Sequence, residues 1–296
     1  MTFSAKYTRE LKLNPKETLE AIFKDLGVKK IRLVAYWDEI QDQDGHLNYS
    51  DLDWQIQMAK KYHVDVILSV GKRVPRWPEC HIPDWALQLD KPDQNEALLK
   101  FVRETLVRYK DEEVVKVWQI ENEPFLSVYA KQYCGQFDVS ILDKEIALAK
   151  EVDFNTPVLI TDSGELSLWN AAYSRGDQFG STFYVYVANS VFDDVRSMMS
   201  HNSYRLKMAI MRLFHGTKPS YLIEISIEPW LTKAITDTSF KEQLSKMNVS
   251  RAKTILDIAS QTGFTEQYLW GAEWWYYLKL HGHPELWDYI KGVNRL

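Results

Sequence analysis

The feature that most restricts how this chain can fold is a recurrence: short apolar, β-branched runs alternate with amphipathic stretches of helical period. Such runs stand at Met1–Lys6, Lys29–Trp37, Val64–Gly71, Val114–Pro124, Thr156–Glu165, Phe179–Val187, Pro219–Trp230 and Gln267–Leu278. Between them lie helix-like stretches near Pro15–Leu26, Ser50–His63, Asn95–Tyr109, Val139–Val152, Leu166–Tyr173, Tyr204–Phe214 and Phe240–Thr262. Eight runs in 296 residues leave roughly 37 residues per strand-helix unit, close to the ~30 or more that one such unit needs. The pattern predicts an α/β fold, a single (β/α)8 TIM barrel over residues 1–296, with no linker, repeat or second domain. An open doubly wound sheet fits less well, because no Gly-rich phosphate turn follows an early strand.

Charge narrows the partners. Lys and Arg number 36 against 41 Asp and Glu, a net charge of −5, and neither sign gathers into a long block. Nucleic acid and membrane surfaces are therefore not expected partners, and a monomer is favoured. No window approaches the ~18 consecutive apolar residues of a membrane span. The start MTFSAKYTRE has no apolar signal core, so the chain as given reads as cytoplasmic, or as secreted if a leader was trimmed. Cys80 and Cys134 fall in loops after adjacent strands, where they either staple the two loops or remain buried thiols; without a leader, thiols are favoured. His281 and His283 have H-x-H spacing but follow the last strand without further ligands, so neither a metal nor another cofactor is expected.

In a barrel of this kind reactive groups project from the C-terminal ends of strands. Two carboxylates stand at such ends. Glu123 lies in Glu121-Asn122-Glu123-Pro124 closing the fourth run, and Glu224 lies in Leu222-Ile223-Glu224-Ile225 in the seventh, 101 residues later. An Asn-Glu-Pro closing strand four combined with a Glu inside an apolar strand seven resembles clan A of the glycoside hydrolases, the cellulase-like four-seven superfamily of retaining enzymes. The resemblance implies a retaining β-glycosidase in which Glu123 is the acid/base and Glu224 the nucleophile. It further implies that Asn122 binds the sugar 2-hydroxyl, that Tyr184 donates to the nucleophile, and that Arg32 in the second run helps hold Glu224 ionised. Tyr186 has the same facing as Tyr184 and is an alternative to it. The alternative reading of Arg32 is a surface ion pair at a strand start.

The chain also carries 11 Trp beside only 12 Gly. Many stand just after strands: Trp37, Trp77 and Trp85, Trp169, Trp230, Trp274 and Trp275. Aromatic rings stack on the apolar faces of pyranoses, so this clustering predicts a sugar-binding cleft, with Trp37, Trp77, Trp230 and Trp275 foremost. Glu273 shares strand parity with Gly271 and Trp275 and is expected to face sugar hydroxyls. Asp162 and Glu165 serve either that purpose or a turn, and Glu228, before Pro229, is a reserve nucleophile. The competing function is a carbohydrate-binding barrel without turnover. Such a protein has no need of both carboxylates.

Overall fold

The computed structural model describes residues 1–126, 134–135, 137–187, 195–197 and 200–293. Among them one parallel sheet has seven strands, in the order β1 (Lys30–Val34), β2 (Asp65–Val70), β3 (Val115–Ile120), β4 (Val158–Asp162), β5 (Gln178–Phe183), β8 (Ser220–Ser226) and β9 (Glu266–Trp270), and β6 (Tyr186–Val187) pairs with β7 (Val195–Arg196) separately. The chain divides into two units, residues 30–180 with 217–219, and residues 1–29, 181–216 and 220–296.

In the unit spanning residues 30–180, β1 (Lys30–Val34), β2 (Asp65–Val70), β3 (Val115–Ile120) and β4 (Val158–Asp162) run parallel, and β5 (Gln178–Phe183) begins. The register sets Arg32 against Ile67, Leu68 against Trp118 and Gln119 against Leu159. Most residues of these strands are buried, as expected for parallel strands covered on both faces. Helices α1 (Ser50–Tyr62), α2 (Lys91–Tyr109) and α3 (Val139–Val152) intervene. Each boundary has a local cause. Asp90 caps α2 by accepting from the Asp93 amide, with Pro92 in the first turn, and His63 closes α1 in the left-handed region at φ 53°.

In the other unit, the helices α4 (Ala5–Glu10) and α5 (Pro15–Lys24) start the chain. After the end of β5 come β6 (Tyr186–Val187), β7 (Val195–Arg196), α6 (His201–His215), β8 (Ser220–Ser226), α7 (Val249–Ser260), β9 (Glu266–Trp270), α8 (Ala272–Leu280) and α9 (Glu285–Val293). Asp25, just past α5, receives Lys279 Nζ at 2.7 Å, Trp287 Nε1 at 2.8 Å and Lys291 Nζ, which ties α5 to α8 and α9. These donors hold its carboxyl well below the usual carboxylate range.

Two strand expectations are corrected. Met1–Lys6 contributes no strand: the Thr2 amide donates to the Leu269 carbonyl at 3.1 Å, and two residues later the Ser4 hydroxyl accepts from the Tyr7 amide and starts a helix. A run this short cannot extend a ladder once its fourth residue is an N-cap, so the described sheet has seven strands where eight are expected. The run Gln267–Leu278 also breaks. Gly271, at φ 115°, ends β9 and opens α8.

Candidate active site

At the end of β3, Glu121 and Glu123 both hold positive φ, 57° and 45°. Each non-glycine residue there costs on the order of 1–3 kcal/mol, so the surrounding bonds must hold the turn. They do so from several directions. The amides of Glu121, Asn122 and Glu123 donate to Val70 O at 3.0 Å, Arg73 O at 2.6 Å and Thr161 Oγ1 at 2.9 Å. Glu121 turns its carboxylate onto the Lys72 and Arg73 amides, at 3.0 and 2.6 Å. A Cβ on Gly71 would stand 2.7 Å from that carboxyl, which is why the close approach requires glycine.

Gln119, which the sequence does not single out, organises this end. Its Nε2 donates to Glu121 O at 3.0 Å and Asn122 Oδ1 at 3.1 Å, and its Oε1 accepts from Arg32 at 3.3 Å. An amide inside the apolar run Val-Trp-Gln-Ile was the available signal. Asn122 Oδ1 also receives Thr161 Oγ1 at 3.3 Å, whereas its buried Nδ2 has no partner among the described residues. A buried N–H₂ left unpaired costs roughly 1–3 kcal/mol. Glu123 is buried beside it in sequence, as is Arg32 on β1.

Beneath this turn lies a second carboxyl. Glu145 of α3 is fully buried, and neither of its oxygens meets an N–H or O–H donor among the described residues. What faces it is Glu121. Burial, and then the charge of Glu121, push Glu145 well above the ordinary carboxylate range. Burial raises Glu121 too, against the pull of Lys72 and of its two amide donors. The pair therefore holds a proton on Glu145 and directs it at Glu121.

The loop after β2 carries Trp77, 61% exposed, and Arg73, whose guanidinium binds Glu79 Oε2 at 3.2 Å and Leu126 O at 2.7 Å. Cys80 and Cys134 are joined as a disulfide with Cα atoms 5.4 Å apart, a correction to the thiol reading and well within the span that a disulfide bridges.

In the other unit, Glu224 is buried on β8 and accepts from the Tyr184 hydroxyl at 2.7 Å. Trp230, 37% exposed, meets the Tyr184 ring edge-on with centroids 5.7 Å apart. Tyr186 instead lies under the Arg251 guanidinium at 4.4 Å, so of the two tyrosines it is Tyr184 that reaches the carboxylate. Glu228 lies in the loop after β8 and accepts from Tyr7 at 3.1 Å, a partner that no local pattern announces.

Several expected cleft residues are placed otherwise. Trp37 is fully buried, donates to Gln41 Oε1 at 2.6 Å and stacks on Phe101, so its ring is core. Trp275 is buried with Nε1 on Ile227 O at 2.7 Å, and Glu273 accepts the Ser4 amide at 2.6 Å in the first turn of α8. Strand parity does not apply to either, because Gly271 has already switched the chain to helical period. Trp169 and Trp274 are also fully buried. Asp162 takes the Ser163 amide at 2.9 Å and the Ser167 hydroxyl, the turn-forming alternative. His281 and His283 both pack on Phe240.

No family model and no curated protein sequence matches this chain. Solved structures do. A GH10 endoxylanase retrieved from a sugarcane soil metagenome superposes with a TM-score of 0.57 at 14% identity, over 88% of this chain and 83% of that one. Xylanase 10B from Thermotoga petrophila gives 0.54 at 15%, over 86% and 77%. The family 1 β-glucosidase from Thermotoga maritima gives 0.55 at 12%, over 90% and 86%. The resemblance to clan A thus holds at the level of the fold, that of α/β barrel glycoside hydrolases.

Proposed function

We propose that this protein is a retaining β-glycoside hydrolase acting on β-linked oligo- or polysaccharide by double displacement. Glu224 attacks the anomeric carbon while Glu123 gives its proton to the glycosidic oxygen, which leaves with the aglycone. The glycosyl ester on Glu224 is then displaced by water, whose proton returns to Glu123. This chemistry works with the two carboxyl groups ~5–5.5 Å apart.

The observation that carries the reading is the hydrogen bond from Tyr184 to Glu224. A nucleophilic carboxylate must be ionised and aimed, and a phenol donating to one of its oxygens stabilises the charged form and fixes its orientation. Asn122 adds support, because an unpaired buried N–H₂ suits a sugar hydroxyl that arrives with the substrate. Arg32, Trp77 and Trp230 complete the proposed substrate contacts. The neighbours, named as xylanases and a β-glucosidase, suggest the β-linked class of substrate.

The test is hydrolysis of aryl β-glucoside, galactoside, mannoside and xyloside, with a polysaccharide panel alongside. Glu123→Ala and Glu224→Ala should each nearly abolish turnover, and azide should partly rescue the Glu123 variant. Full activity in both variants refutes the mechanism. Saccharide binding by a wild-type protein that hydrolyses none of the panel would instead establish a non-catalytic carbohydrate-binding barrel.

A further inference from the structure

Helix α6 packs inward through Tyr204, Met208 and Met211, yet its opposite side is apolar as well. Leu206, Ile210, Leu213 and Phe214 are 63, 40, 79 and 71% exposed. Spacings of four, three and one residues place all four on one stripe two turns long. Single exposed leucines are ordinary on a protein surface, whereas a contiguous stripe ending in an exposed Phe marks a surface that meets something.

The charge around the stripe says what. Helix α6 carries Arg205, Lys207 and Arg212 and no Asp or Glu, although the whole chain carries −5. At ~3.6 residues per turn Arg205 and Arg212 fall on the flank between the stripe and the buried side of the helix. Arg205 and Arg212 are exposed on α6, and neither makes an ion pair among the described residues. The cations are spaced through an apolar helix rather than gathered in a block, so a search for charge runs passes over them.

We propose that this face of α6 docks on an anionic lipid surface. The four apolar side chains enter the boundary between headgroups and acyl chains, and Arg205 and Arg212 reach lipid phosphates along their aliphatic stems. A narrow helical ridge suits a deformable surface that closes around it, and the one-sided charge suits a uniformly anionic one. No helix among the described residues is long and apolar enough to cross a membrane, so the chain lies against the surface through α6.

The test is co-sedimentation of the whole chain with vesicles of phosphatidylcholine, with and without phosphatidylglycerol. Binding is expected only with the anionic lipid, and added salt should weaken it. Arg205→Gln and Arg212→Gln should each weaken it about fivefold. Leu213→Ser with Phe214→Ser should abolish binding while the circular dichroism spectrum stays unchanged. The arginine variants keep the test valid should the apolar double variant fold poorly. Failure to bind anionic vesicles overturns the proposal, as does equal binding to both vesicle types. A lipid-independent dimer that the Leu213→Ser, Phe214→Ser variant dissociates would assign the stripe to a second copy of this chain and also overturn it.

Discussion

Replacing Glu145 by glutamine should make the protein more stable, and by an amount that grows with pH. Two buried carboxyls face each other, Glu121 and Glu145, and among the described residues amide donors reach Glu121 but not Glu145. The folded chain keeps a proton on Glu145, whereas in the unfolded chain both groups ionise at an ordinary carboxyl pKa of ~4.3. Above that pH the folded state binds one proton more than the unfolded state. Stability is therefore fully present below the unfolded pKa and falls as pH rises towards the folded one, by about 1.4 kcal/mol per pH unit for one proton. The carboxamide introduced by Glu145→Gln supplies an N–H to Glu121 from the same position and does not titrate. Subtracting the wild-type from the variant unfolding free energy cancels the titrating groups outside this pair, and the difference should climb in the variant's favour at about that slope. Urea unfolding followed by tryptophan fluorescence, at pH values stepped upwards from ~5, just above the unfolded carboxyl pKa, measures it. Parallel curves for the two proteins would show that Glu145 carries no extra proton and would refute the reasoning.

Four further substitutions probe other parts of the molecule. Tyr184→Phe removes a charge-assisted bond worth roughly 1.5–3 kcal/mol, so kcat/KM on an active aryl β-glycoside should fall about 10- to 100-fold. Tyr186→Phe should leave it unchanged, and equal losses in the two variants would count against the assignment. Gly71→Ala drives a Cβ to 2.7 Å from the Glu121 carboxyl at φ 143°, and the sum of strain and displaced amide bonds should lower unfolding stability by about 3 kcal/mol or more in urea titration. Asp25→Asn weakens the tie between α5, α8 and α9. Because the Asp25 pKa is depressed, wild-type stability from this cluster is present above the ordinary carboxyl range and lost as pH falls through the folded value, so thermal melts of the two proteins should converge in acid.

Much of this was legible in the residues, for identifiable reasons. Glu224 sits in a short apolar run whose strand end is well marked, whereas Tyr184 is picked out by the resemblance to clan A, because parity does not separate it from Tyr186. Glu145 goes unremarked in the sequence, although it lies at helical spacing with Ile141, Leu142, Leu148 and Ala149, all buried, and that periodicity points the carboxyl inward. Glu273 and Trp275 were not legible, because an apolar aromatic run reads the same as strand or helix, and one glycine dihedral decides between them. Nor was the fate of the tryptophans. Position after a strand does not separate a ring lining a cleft from one closing the core, and Trp37, Trp169, Trp274 and Trp275 are fully buried where Trp77 and Trp230 are exposed. Pairings across long separations, Tyr7 with Glu228 and Ser4 with Glu273, leave no local trace at all.

The Cys80–Cys134 bond closes a ring of chain, 54 residues from end to end, and α2, β3, Gln119 and Glu123 all lie inside it. A protease that cuts anywhere between residues 81 and 133 opens the ring without releasing a piece, since both sides of the cut stay attached through sulfur. A nicked molecule would run as a full-length band without reductant and as two bands with it, so paired gels map cuts around Glu123 that a single gel would hide.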